Sequence, residues 1–413
     1  MIISRSFFYT SLSQLILVVV EIIKIFFLGR YFDSNNFGIY FLILTSSLFF
    51  TESIKGYAQI LYIDKESDKT ILYDTLFKTI IVIAVLSFFV CLIINVNKLF
   101  YVYMPILIIL YGNSGVYEMN MIKDREFYKL GKLKALGGLI SLIPLLFLPY
   151  FTTNKIHLIF SSTILLTLPI IVLNFKNYCE FKLTKKFYFK KNGVLRSANI
   201  LFLLLNTNIE KYVIKLLLGN SALGDYTMAQ SVGRKLEQKL NQISNTIVLP
   251  MLQDSNKMVS KNKHLIDQIL LLSFYFSLSW LFVLMIPSLT DFFFKNNWGN
   301  ITENSMLFVL IGYLYSYETI IKNKILLNQN TIKDLLNFDI MSFIILTLGL
   351  TFILILGSVT LIKMIYILIG FKYLTNVLLS ILEFKKTVNS FKSNFIFFLI
   401  HIMLSLTFLL LLF

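Results

Sequence analysis

Apolar residues run in blocks long enough to cross a bilayer, one after another along the 413-residue chain. Leu76 to Val96 is broken only by Lys78, Asn95 and a few small polar residues, and Leu139–Phe151 and Phe395–Phe413 are similar. A helix needs roughly 20 apolar residues to span hydrocarbon. In lipid every backbone N–H and C=O must find an internal partner, so repeated blocks of this kind specify a helical bundle. A membrane barrel would instead show alternating strands of about 10 residues, and the sequence has none. Charged residues make up 15% of the chain, against about 25% in soluble domains.

The blocks predict spans near 7–29, 37–62, 76–97, 99–121, 133–151, 156–175, 194–218, 224–250, 265–287, 303–322, 335–357 and 360–382, with a thirteenth at 395–413. The first block contains Glu21 and Lys24 and lacks a small-residue cleavage site, so it reads as a retained span rather than a leader. Basic residues decide the orientation. One set of alternate loops (63–75, 122–132, 176–193, 251–264, 323–334, 383–394) carries most of the lysines, including Lys65, Lys123, Lys129, Lys182 and Lys190. The other set offers Arg30, Lys98, Lys155 and Lys295. Positive loops stay inside, so the expectation is a multi-pass inner-membrane protein with a cytoplasmic N-terminus. No external loop exceeds about fifteen residues, which leaves no outside domain for chemistry.

The basic loop at 176–193 divides the first twelve spans six and six. The expected organisation is therefore a six-helix bundle at 1–175, a basic linker at 176–193, a second six-helix bundle at 194–382, and a tail at 383–413 with an extra helix. An internal echo supports the division. Leu28-Gly29 followed by Phe37-Gly38-Ile39-Tyr40 matches Leu218-Gly219 followed by Leu223-Gly224-Asp225-Tyr226. Parallel repeats of this type occur in transporters that rock two bundles about a central site.

Charges within the spans carry the functional reading, because a charge at the bilayer centre costs at least about 2.5–3.5 kcal/mol. In span 8, Gln230, Arg234, Glu237, Asn241 and Asn245 recur at steps of four, three, four and four, forming one stripe that Lys235 and Lys239 widen. Span 7 carries Asn199, Asn206, Glu210, Lys211 and Lys215; span 1 carries Gln14, Glu21 and Lys24; span 2 carries Glu52, Lys55 and Gln59. Glu118 and the pair Glu318–Lys322 lie near the cytoplasmic ends of spans 4 and 10. Pairs such as Glu21–Lys24, Glu52–Lys55 and Glu318–Lys322 also fit local neutralisation that serves packing alone. Lys363 and Lys372 read as lysines that snorkel to the headgroups. Spans 7 and 8 hold more cation than anion, and excess positive charge in a low-dielectric cavity attracts anions. Arginine suits bidentate phosphate contact, and lysine acts as a point charge.

Other classes are excluded. The net charge of +16 sits in loops between apolar spans rather than on one face, which argues against nucleic acid. His157, His264 and His401 show no metal-ligand spacing, Cys91 and Cys179 lie in different environments, and no G-x-x-x-x-G-K-[ST] nucleotide loop occurs.

Several of these residues resemble a family. Leu28-Gly29-Arg30-Tyr31-Phe32 with Asn35-Asn36-Phe37-Gly38-Ile39-Tyr40 is similar to the first external turn of Wzx-type O-antigen flippases, within the multidrug/oligosaccharidyl-lipid/polysaccharide (MOP) exporter superfamily. Asn206 to Lys215, with Leu218-Gly219 and Leu223-Gly224-Asp225-Tyr226, resembles their seventh span and turn; Leu249-Pro250 resembles the close of their eighth, and Arg125–Lys134 their basic loop. Asn35-Asn36 departs from the acidic residues of many relatives, and the thirteenth segment exceeds their twelve-span plan. The resemblance implies a flippase that moves undecaprenyl-pyrophosphate-linked oligosaccharide across the inner membrane by alternating access. It implies no cofactor, with H⁺ or Na⁺ gradient coupling as the energy source, and a polysaccharide polymerase and chain-length regulator as neighbours. It places Lys24, Lys211, Lys215, Arg234, Lys235, Lys239 and Asn241 on the pyrophosphate or sugar. Glu21, Glu52, Lys55, Glu210 and Glu237 then serve charge pairing or coupling. The alternatives are a membrane polysaccharide polymerase or glycosyltransferase, for which the short first external loop with Asp33 alone is a poor fit, and a multidrug exporter of the same superfamily.

Overall fold

The computed structural model describes residues 2–63, 69–94, 97–124, 126–151, 155–179, 191–234, 237–238, 261–294, 298, 300–327, 332–355, 360–386 and 391–412. The regular structure of the described residues is entirely helical. In order, the elements are α1 (Ile2–Tyr31), α2 (Ser34–Ile63), α3 (Lys69–Ile94), α4 (Lys98–Lys123), α5 (Phe127–Ile140), α6 (Ile143–Leu146) and α7 (Lys155–Cys179). They continue with α8 (Lys191–Gly233), α9 (Lys261–Phe293), α10 (Ile301–Leu327), α11 (Ile332–Ile355), α12 (Leu361–Lys386) and α13 (Phe391–Leu412). Six stretches among them are long and apolar enough to cross a membrane by themselves: Ser34–Ala58, Asp74–Ile93, Lys98–Ile122, Lys155–Leu173, Ser273–Phe293 and Leu361–Ile381. The all-helical, multi-pass architecture expected from the apolar blocks is the one observed.

The residues pack as two compact units, Met1–Phe32 with Asn36–Tyr212, and Asp33–Asn35 with Val213–Phe413. In the first unit, α1 lies along α5, α3 along α4, and α7 against α4 and α5. Gly137 makes the α5–α7 approach possible, since a Cβ there would stand 2.2 Å from the Leu166 carbonyl oxygen. Tyr117, Met121, Leu130, Leu133 and Ile170 form a buried cluster where α4, α5 and α7 meet. Ser162 donates to the Ser141 carbonyl at 2.6 Å, joining α7 to the end of α5.

The fifth span differs from its expected continuous helix over 133–151. α5 ends at Ile140 and is followed by the single turn α6. Pro144 at the start of that turn has no N–H to extend a ladder. Phe147, Leu148 and Tyr150 then donate to carbonyls three residues back, the tighter 3₁₀ pattern. α4 runs from its cap, where Asn97 Oδ1 accepts from the Leu99 N–H at 3.0 Å, through Pro105 without ending.

In the second unit, α10 packs on α9 and α12, α11 on α12, and α13 on α9, α10 and α12. The thirteenth segment, expected as an extra, is thus integrated in this unit. At the start of the loop expected at 219–223 the helix breaks: two helical stretches of α8 meet in a kink at Gly219, whose φ 85°, ψ −178° is non-helical, a positive φ that glycine adopts without a Cβ penalty. Beyond the kink, Gly224 sits against the α1–α2 connection: a Cβ would lie 1.9 Å from the Ser34 carbonyl oxygen. The Ser34 and Ser221 hydroxyls hydrogen-bond at 2.7 Å.

Candidate functional site

Among the described residues, ion-paired side chains join helices within each unit. In the first unit, Lys55 on α2 lies 3.7 Å from Glu52 and 3.4 Å from Glu118 Oε2 on α4. Lys134 on α5 reaches the same Glu118 oxygen at 3.0 Å. Gly115 leaves space on α4 for the methylene stem of Lys55, whose Cδ lies 3.5 Å from where a Cβ would be.

In the second unit the charges form a longer series. Arg234, at the end of α8, meets Glu237 Oε2 through both Nε and Nη2 at 3.2 Å. Its guanidinium lies 3.9 Å from the centre of the Tyr315 ring on α10. Lys372 on α12 places its ammonium 3.6 Å from that ring and 2.9 Å from Glu318 Oε2. Glu318 Oε1 holds Lys322 at 2.7 Å, and Lys322 also reaches Asp339 on α11 at 2.6 Å. The series holds three cations and three carboxylates, with the Tyr315 ring between Arg234 and Lys372, and burial demands such balance.

The residues singled out by sequence fall in different places. Arg234 and Glu237 are buried together, as are Glu210 and Lys211 on α8. Lys211 donates to Asn208 Oδ1 at 2.7 Å and lies 4.9 Å from the Phe41 ring centre. Glu21 and Lys24 are half-buried on α1, and Lys215 is half-buried on α8. Glu52 and Lys55 are paired as described above. Lys235, Lys239, Asn241 and Asn245 lie outside the described residues.

Lys372 corrects one reading. It does not snorkel: it is 2% exposed and ion-paired with Glu318. The Glu318–Lys322 pair is local as expected, but Lys372 and Asp339 enlarge it into a four-residue cluster. Sequence reasoning also missed Lys134, which sits in a basic stretch and gives no periodic signal with Glu118. His401, considered in the sequence only as a metal ligand, has a packing role. It is buried on α13, stacked on Tyr317 with ring centres 3.6 Å apart, and neither ring nitrogen has a hydrogen-bond partner among the described residues. Among the described residues no group of three or more His, Cys, Asp or Glu side chains could hold a metal ion.

A scan against protein-family models matches none, and a search of curated proteins finds no similar sequence. Solved structures do match over nearly the whole chain. The lipid II flippase MurJ in an inward closed conformation superposes with a TM-score of 0.65 at 15% identity, covering 98% of this chain and 97% of that one. The MATE multidrug transporter DinF-BH gives 0.62 at 10% identity, covering 94% and 96%. A MOP-superfamily transporter from Pyrococcus furiosus, in which reversed polarity of the binding pocket suggests a different function, gives 0.53 at 10% identity, covering 94% and 97%. These neighbours are transporters, and this chain shares their helical fold over nearly its whole length.

Proposed function

We propose that this chain is a flippase for undecaprenyl-pyrophosphate-linked oligosaccharide of the O-antigen or a related surface polysaccharide. The observation that carries the reading is the burial of Lys211 and Arg234 in a fold shared with a lipid II flippase. A diphosphate headgroup is the chemistry such cations suit, since charge-assisted contacts strengthen away from water. Lys24, Lys215, Lys235, Lys239 and Asn241 complete the proposed substrate set, with Glu21, Glu52, Lys55, Glu210 and Glu237 in charge pairing or coupling. The proposal retains two six-span halves, 1–175 and 194–382, alternating access, H⁺ or Na⁺ coupling and an inner-membrane location with the N-terminus in the cytoplasm.

One observation favours a second reading, a multidrug exporter. The MATE multidrug transporter DinF-BH shares the fold over 94% of this chain, and Glu210 is buried on α8, an acid that would suit cationic cargo. Lipid extraction from a deletion strain separates the two. The flippase reading expects complete lipid-linked repeat units to accumulate on the cytoplasmic leaflet with little surface polymer. Unchanged lipid pools together with lost efflux of a cationic dye would replace it with the exporter. Single units capped onto surface glycolipid without polymerisation would point to a polymerase.

A further inference from the structure

The two charge groups share a feature. Helix α4 carries Gly112 and, five and six residues on, Tyr117-Glu118; helix α10 carries Gly312 and, at the same spacing, Tyr317-Glu318. These are the fourth and tenth spans, equivalent positions if the chain is two six-span repeats. Each glutamate holds two lysine ammoniums: Glu118 holds Lys55 and Lys134, and Glu318 holds Lys322 and Lys372. Two lysines held by one carboxylate is thus a device built twice.

The two copies differ in access. In the second unit the side chains of Lys372, Glu318 and Lys322 are 3%, 6% and 12% exposed, and Asp339 supplies a second carboxylate. That cluster is sealed and neutralised by its own residues. In the first unit Glu118, Lys55 and Lys134 are 14%, 23% and 27% exposed. The second carboxylate there, Glu52, lies 3.7 Å from Lys55 and is 39% exposed. Both lysines converge on one oxygen of Glu118, so a single carboxylate oxygen fills the place between two partly exposed ammoniums. A phosphate oxygen has the same charge and hydrogen-bonding capacity and competes for that place.

We infer that Lys55 and Lys134, pre-positioned by Glu118, form the diphosphate-binding site of the first unit, and that Glu118 is the anion the substrate displaces. This rests on the flippase reading for the identity of the substrate; it adds Lys134 and Glu118 to the residues assigned to it and moves Lys55 from charge pairing to substrate contact. Glu118 is a positioning residue: in the unliganded protein it keeps two like charges together, and it withdraws from the lysines as the diphosphate arrives.

The test is calorimetric titration of inorganic pyrophosphate into the purified full-length protein in neutral detergent. Lys134→Gln is expected to weaken binding about tenfold, the scale of one charge-assisted contact, and Lys134→Arg to restore most of it. Glu118→Gln is expected to tighten binding about tenfold, because the competitor is gone; a gain of affinity is an outcome that misfolding does not produce. Excess phosphatidylglycerol in the micelle is expected to leave pyrophosphate bound. Unchanged affinity in both Lys134→Gln and Glu118→Gln overturns the site, and displacement by phosphatidylglycerol reassigns it to bilayer lipid. Pyrophosphate binding that follows this pattern, in a protein whose deletion leaves lipid-linked sugar pools unchanged, would sink the flippase reading and leave the site standing.

Discussion

Lys322 is the ion-pair hub of the second unit, bridging Glu318 and Asp339, whereas Lys372 serves Glu318 alone among the described carboxylates. Removing one member of a buried pair leaves an uncompensated charge and costs about 3–5 kcal/mol. Lys372→Met leaves Glu318 with Lys322, so its loss is expected at about 3 kcal/mol. Lys322→Met strips Asp339 as well and should fall at or above the top of that range. Unfolding in detergent measures both, and an inverted order would contradict the hub. Arg234→Ala is expected to abolish transport while the protein still inserts in the membrane; wild-type transport would remove Arg234 from the substrate set. At this scale the sequence exposed pairs within one helix but only one side of the pairs between helices. Arg234–Glu237 was legible because the partners are three residues apart on one helix face. Lys372 was not, because its partner is 54 residues away, and a lysine within an apolar stretch looks the same whether it snorkels or pairs.

Among the elements, glycines decide where helices bend and where they touch. Gly224→Ala would drive a methyl to 1.9 Å from the Ser34 carbonyl oxygen, so the backbone must move. The expected result is a loss of several degrees in melting temperature. Gly349→Ala meets nothing within 4 Å and removes a flexible residue from a helix interior, worth about 0.5–1 kcal/mol in favour of the variant. Thermal melts of the two side by side give opposite signs if the packing at Gly224 is as described. The matched Leu-Gly pairs marked Gly219 as a boundary in the sequence, and the structure uses that position for a kink. The break in the fifth span after Ile140 was harder to foresee. Hydropathy is blind to a missing N–H, so Leu139–Phe151 read as uninterrupted despite Pro144.

For the whole molecule, apolar block length was the strongest signal, and it was sufficient for the helical, multi-pass class because lipid leaves the backbone few alternatives. Orientation rests on lysine distribution alone. If the basic loops are inside, a thiol reagent that cannot cross the membrane labels Cys179 in inverted vesicles and spares it in intact cells; the reverse pattern inverts the topology. The candidate site was legible only in part, since the cationic stripe of span 8 runs beyond the described residues and the Glu118 clamp joins three helices that share no periodic pattern.

The sealed cluster around Glu318 also constrains how the chain can change over generations. Its charges sum to zero only as a set, so a single substitution at Glu318, Lys322, Asp339 or Lys372 leaves an uncompensated buried charge. Related sequences should therefore replace these positions in concert, exchanging or deleting opposite charges together. The clamp around Glu118 is less deeply buried, so a charge stranded there costs less and the clamp is expected to relax one residue at a time. The buried cluster would drift in paired steps and the less buried one in single steps, so the two charge groups would diverge at different tempos.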